Sequence, residues 1–250
     1  MILNILEGFM MKTNILGINF DVINFSDAIK KIFDCIEQKK KCFIVTPNPE
    51  IVMSAQKDLD LKKIINQADL VLPDGVGIVF ASQLNKNKIK KRITGYDLVQ
   101  KIFLMSEKKN FSVYFLGGKE NIVELAKKNM EKKFNKLKIV GCNNGFFSEE
   151  EKVVKKINFA KPDILLVGMG SPKQEKFIFK YKDEIDAKIF IGIGGSFDVM
   201  SGKIKRAPKI FIDLNLEWFY RFMKEPKRFF RLMALPKFLF KVITRKIFGA

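Results

Sequence analysis

The sequence predicts an α/β fold: a mostly parallel sheet flanked by helices, followed by a basic, aromatic-rich helical appendage. Three observations carry this expectation. Short apolar runs alternate with amphipathic helical stretches through most of the chain, the pattern of strands joined by crossover helices. Glycine-bearing turns follow several of those runs. Near residues 203–208 the composition shifts, and the chain becomes helical, basic and aromatic.

Taken in order, the strand candidates are 14–20, 42–45, 70–72, 112–116, 138–142, 164–168 and 188–193. Between them, helical periodicity marks 26–39, 49–67, 95–108, 121–134, 148–160 and 172–181. Ser26 is the expected N-cap of the first helix, with Ile29, Ile32, Phe33 and Ile36 as its buried stripe. Ser148, ahead of Glu149, Glu150 and Glu151, starts another in the same way, its acids at the positive end of the helix dipole. The arrangement reads as a Rossmann-like core over residues 1–200 and an appendage over 201–250, packed against it. Residues 1–11 lack the basic n-region and apolar stretch of a signal peptide and read as a dispensable extension, Met10 or Met11 being the start.

Composition narrows the function classes. Of 250 residues 47% are hydrophobic, enough for a large core, and 46 basic against 27 acidic residues give a net charge of +19. Such a balance calls for an anionic partner. From Trp218 to the end there are nine Lys or Arg, one acid and nine aromatics. A basic and greasy tail fits an anionic membrane surface better than nucleic acid. No apolar run reaches the ~18 residues of a membrane span. The expected location is therefore cytoplasmic and peripheral, at the inner face of the cell membrane. Three cysteines in no CxxC pattern suggest neither a disulfide framework nor a zinc site. Histidine is absent, which removes Ser-His-Asp and Cys-His catalysis and leaves a carboxylate as the expected general base.

Each informative motif sits where a strand ends, the edge at which open parallel sheets bind ligands. In T-P-N-P-E, Thr46 and Asn48 direct polar side chains into a cleft, although a turn followed by a helix start explains the same letters. In L-P-D-G-V-G, Asp74 is either the base or a helix cap. In R-I-T-G-Y-D-L, Arg92 could hold a phosphate and Thr94 or Asp97 could touch a sugar, or the segment is a capped helix start. Gly117 and Gly118 of F-L-G-G-K permit close approach of a ligand or make an ordinary turn. In G-M-G-S-P-K-Q-E-K-F, Gly168, Gly170 and Ser171 precede a helix whose N-terminus favours an anion, with Gln174 pointing toward the same opening. In I-G-I-G-G-S-F-D, Gly192, Gly194 and Gly195 follow another strand, and Asp198 is placed for a ribose or base. Neither GxGxxG nor GK[ST] occurs. That absence, with no histidine, argues against a nicotinamide oxidoreductase, and glycine turns at strand ends argue against a nucleic-acid binder.

As an ordered set, TPNPE, PDGVGIV, RITGYDL, FLGG, GMGSPKQEKF, GIGGSFDVMSGKIKRAP and LEWFYRFMKEPKRFFR resemble the WecG/TagA/CpsF glycosyltransferase family over about residues 14–231. The resemblance implies an inverting, metal-independent enzyme without a cofactor. It would move N-acetylmannosamine, or a related sugar such as its uronic acid, from UDP to undecaprenyl-diphosphate-linked N-acetylglucosamine. The products would enter wall teichoic acid, enterobacterial common antigen or capsule. The resemblance makes Asp74 the base and matches Thr46 and Asn48 to the family's polar pocket residues; Arg92, from its own motif, is expected to complete the catalytic group. Gln174 matches the family's SPKQE glutamine, and with Gly117, Gly118, Gly168, Gly170, Gly194, Gly195 and Asp198, read from their own motifs, it is expected to bind substrate. Arg221, Arg228 and Arg231 of the membrane-docking appendage would meet the diphosphate, whose shape guanidinium forks suit. A greasy basic tail also suits self-association into a homo-oligomer.

Overall fold

In a computed structural model of the chain, residues 11–224 and 233–248 are described. Six strands form one parallel sheet in the order β4-β3-β8-β7-β5-β6. They are β3 (Cys42–Val45), β4 (Leu70–Val71), β5 (Ser112–Gly117), β6 (Lys138–Asn143), β7 (Ile164–Gly168) and β8 (Ile189–Gly192). The inner strands β3, β7 and β8 read CFIV, ILLVG and IFIG and are buried on both faces, and β5, SVYFLG, is buried beyond its first residue, as strands covered by helices on either side must be.

Alternation along the strands divides the core into two layers. Phe43, Val45, Leu165, Val167 and Phe190 point to one face. That face is covered by α2 (Pro49–Ala55), α3 (Leu59–Asn66), α4 (Val76–Ser82), α7 (Glu150–Ala160) and α8 (Lys173–Tyr181). Ile44, Phe115, Leu166, Ile189 and Ile191 point to the other, under α1 (Phe25–Glu37), α5 (Gly95–Lys109), α6 (Glu120–Lys133) and α9 (Ser196–Met200). Among the described residues the remaining helices are α10 (Lys209–Asp213), α11 (Glu217–Lys224) and α12 (Ala234–Phe248). The last of these lies against α2 and α4, and its Phe238 is 0% exposed within the first layer.

Four details differ from the sequence expectation. The run 14–20 is a hairpin, not one strand: β1 (Lys12–Ile15) pairs antiparallel with β2 (Ile18–Asp21), outside the main sheet. Leu16 and Gly17 both take positive φ (52° and 81°), the backbone that a two-residue hairpin turn needs. The first helix is capped by Asn24, whose side chain accepts from the Asp27 N–H at 2.8 Å, and Ser26 lies inside the helix. Asn24→Ala should therefore cost about 1 kcal/mol in a denaturant melt. The stretch 49–67 breaks into α2 and α3, because the Asp58 carboxylate accepts from the Leu61 N–H and caps a new helix. At the α7 start the N-cap position is held by Glu149 rather than Ser148, with no side-chain cap bond.

Candidate active site

The turns after β3, β4, β5, β7 and β8 share one edge of the sheet, and short backbone bonds tie them into two groups. On the β3–β4 side, the Asp74 N–H donates to the Pro47 carbonyl at 3.2 Å and the Ile93 N–H to the Pro73 carbonyl at 2.7 Å. This joins the TPNPE, PDG and RIT segments. Gly95, first residue of α5, packs closely on Thr46, since a Cβ there would lie 3.2 Å from Thr46 Oγ1. Gly75 holds φ at 89° with Pro49 and Asn48 against it. Asp74, Thr46 and Asn48 are thus brought together, each half-buried. Asn48 also serves as the cap of α2, accepting from the Ile51 N–H at 2.9 Å.

On the β5–β7–β8 side the glycines divide by role. A Cβ on Gly117 would stand 2.3 Å from the Gly168 carbonyl oxygen, and one on Gly168 would strike the Phe197 ring at 2.6 Å. These two glycines let the turns pack on one another. Gly118 donates its N–H to Gly168 at 2.9 Å and accepts from Gly145 at 2.8 Å. Gly170 and Gly194, both at positive φ, would present a Cβ to open space. Exposed Gly195 follows Gly194 directly. Asp198 is half-buried at the start of α9, its Oδ2 3.5 Å from where a Gly195 Cβ would be. The pairing Ile44↔Ile191 between β3 and β8 sets the two groups side by side at the sheet edge.

Several side chains sit differently from expectation. Gln174 does not point into the opening. It is 4% exposed and lies on Gly192, where any Cβ would come within 2.7 Å of its Nε2. Its Oε1 accepts from the Gly194 N–H at 3.0 Å, and its Nε2 donates to Glu175 Oε1 at 2.8 Å. Arg92 reaches the C-terminal segment: Glu217 Oε2 at 3.4 Å and the Ile212 carbonyl at 3.3 Å, both side chains being largely buried. Asp97 accepts from Thr94 Oγ1 and from Arg206, whose guanidinium lies over the Tyr96 ring at 4.7 Å. Thr94 and Asp97 hold the start of α5 and fix the GKIKRAP segment to it. Arg221 lies in α11, and Arg228 and Arg231 fall outside the described residues.

Glu175 went unnoticed in the sequence. It is 3% exposed, and burial pushes its carboxyl above the usual carboxylate range, against the hydrogen bond from Gln174. The only signal available was a carboxylate in the first turn of a helix that follows a glycine turn. Among the described residues no three His, Cys, Asp or Glu converge as metal ligands. No described helix is long and apolar enough to cross a membrane. A cavity of about 320 Å³ lies elsewhere, between α1 and α5, lined by Phe25, Ile29, Phe33 and Met105.

The profile of the glycosyl transferase WecG/TagA/CpsF family matches residues 13–250. A protein of Bacillus subtilis (strain 168) is 37% identical over 233 residues, 93% of this chain and 90% of its own. One from Bacillus spizizenii (strain ATCC 23059 / NRRL B-14472 / W23) is 36% identical over 211 residues, 84% and 82% of the two chains. One from Staphylococcus aureus (strain MW2) is 35% identical over 237 residues, 94% and 93%. All three are named N-acetylglucosaminyldiphosphoundecaprenol N-acetyl-beta-D-mannosaminyltransferase.

Proposed function

The chain belongs to the WecG/TagA/CpsF glycosyltransferase family, and on that premise we propose that it moves N-acetylmannosamine from UDP to N-acetylglucosaminyl-diphosphoundecaprenol. The enzyme is a hexosyltransferase. The observation that carries the catalytic reading is the setting of Asp74. It is a half-buried carboxylate at the end of β4, its backbone tied to Pro47 and its loop shared with Thr46 and Asn48.

In this scheme the acceptor hydroxyl oxygen bonds to the anomeric carbon of the donor, and its proton passes to the Asp74 carboxylate. The bond from that carbon to the diphosphate breaks on the opposite face, UDP leaves with the electron pair, and the configuration inverts. Thr46 and Asn48 orient the sugar beside the base. Gly170, Gly194 and Gly195 bring backbone up to the donor, and Asp198 receives its ribose. Arg92 binds the C-terminal segment to this edge rather than standing open to phosphate, so the charge of the leaving diphosphate is assigned to Arg221, Arg228 and Arg231. Guanidinium groups would then do the work of a divalent cation.

Residues up to about 200 form the catalytic core in this reading and the remainder an appendage that meets an anionic membrane surface from the cytoplasmic side. Exposed Trp218, Phe219 and Met223 on α11 and Phe240, Ile247 and Phe248 on α12, interleaved with lysines and arginines, support it. The test is UDP release from UDP-N-acetylmannosamine in EDTA, with and without the lipid-linked acceptor. Release should require acceptor, and EDTA should leave the rate unchanged. No acceptor-dependent release would remove this donor, and inhibition by EDTA that magnesium reverses would remove the metal-free scheme.

A further inference from the structure

We infer that Glu175 is a positioning residue for the donor site, acting through Gln174 to fix the turn at Gly194. The inference rests on the reading that the donor binds at the Gly170–Gly194 opening. Its physical basis is a directed relay. A primary amide has one accepting and one donating end, and nothing in the amide alone decides which end faces the Gly194 N–H. Gln174 presents oxygen to Gly194 at 3.0 Å because its nitrogen is held at 2.8 Å by Glu175 Oε1. Rotation of the amide by half a turn would set two donors against each other at Gly194 and two acceptors at Glu175.

The relay is enclosed. Gln174 and Glu175 are both buried, and the absence of a side chain on Gly192 leaves the space that Gln174 fills. The far end of the relay is not enclosed. Gly194 holds φ at 52° and faces open space, at the sheet edge beside Gly170. A buried polar pair is thus coupled to a backbone turn that faces open space. Glu175 Oε2 is buried with no partner in hydrogen-bonding geometry, although the Ser171 hydroxyl is near enough to favour the charged form. Burying an acid this way is costly, and an apolar residue would fill the same space without that cost. What an apolar residue could not do is orient the Gln174 amide.

UDP affinity, by calorimetry, and donor KM are to be measured for wild type, Glu175→Gln, Glu175→Leu, Gln174→Leu and the double leucine variant. Glu175→Gln keeps an acceptor for Gln174 and should stay within about threefold of wild type, whereas Glu175→Leu should raise Kd and KM roughly tenfold with kcat little changed. Because both residues act through one amide, the double variant should be no worse than Gln174→Leu. Unchanged UDP affinity in a folded Glu175→Leu, equal loss in Glu175→Gln, or additive losses in the double variant would each overturn the inference. A wild type that neither binds UDP nor uses the donor would instead overturn the donor-site reading. If Glu175→Leu does not fold, hydrogen exchange at the Gly194 amide decides in wild type and Glu175→Gln. Protection in both supports the relay, and exchange at the rate of an open loop in wild type overturns it.

Discussion

Asp74→Asn should fold as the parent does and bind UDP equally well, yet transfer sugar about 10²- to 10⁴-fold more slowly, the usual range for losing a positioned general base. The substitution changes one oxygen to an amide nitrogen and leaves the backbone bond from residue 74 to the Pro47 carbonyl in place. Gly75 keeps its positive φ, and Pro49 and Asn48 keep their contacts with it. On these contacts the loop geometry should survive while the proposed proton acceptor is lost. Acceptor-dependent UDP release under single-turnover conditions, with a thermal melt on the same sample, separates the two. A variant that keeps more than about a tenth of the parent rate would place the base elsewhere, since general-base removal has a far larger effect than that. A variant that melts early would mean that the carboxylate holds the loop together instead.

The core strands were legible in the sequence because burial on both faces leaves continuous apolar runs such as CFIV and ILLVG, and these can be read without knowing their neighbours. The motifs at the sheet edge were legible for a related reason, since glycines and prolines mark turns by their backbone needs. Features decided by a single local bond were lost. The α2–α3 break depends on one carboxylate, Asp58, capping Leu61, with no glycine or proline at the break to announce it. The hairpin at Leu16–Gly17 is hidden inside a largely apolar run with a single glycine. Side-chain direction was lost as well. Gln174 and Arg92 are polar letters at strand ends, and sequence cannot say whether such residues look outward to a ligand or inward to the protein. Gln174 looks inward because Gly192 makes room for it. Arg92 is turned by Glu217, a residue more than a hundred positions away.

The same ambiguity governs the tail and determines how its proposed membrane role must be tested. Along α12 the apolar residues are too many to mark one face, and the structure separates them: Phe238 is 0% exposed against α2 and α4, while Phe240, Ile247 and Phe248 are 71%, 67% and 76% exposed. Removing everything after about residue 215 would strip Phe238 along with the exposed set, so lost vesicle binding and damaged folding would arrive together. Phe240→Ser, Ile247→Ser and Phe248→Ser combined leave the packed side intact, along with Lys237, Lys241, Arg245 and Lys246. Each exposed side chain that enters the headgroup region contributes about 1.5–3 kcal/mol when fully buried, so the triple variant should bind anionic vesicles at least roughly tenfold more weakly even at partial insertion. Its melting should not change. Phe238→Ala should behave in the opposite way, costing about 3–5 kcal/mol of stability as a core cavity forms. Flotation with anionic vesicles and a denaturant melt on both variants read these outcomes. Equal flotation of the triple variant and the parent would remove α12 from the membrane surface, and the docking role would pass to the exposed Trp218, Phe219 and Met223 of α11.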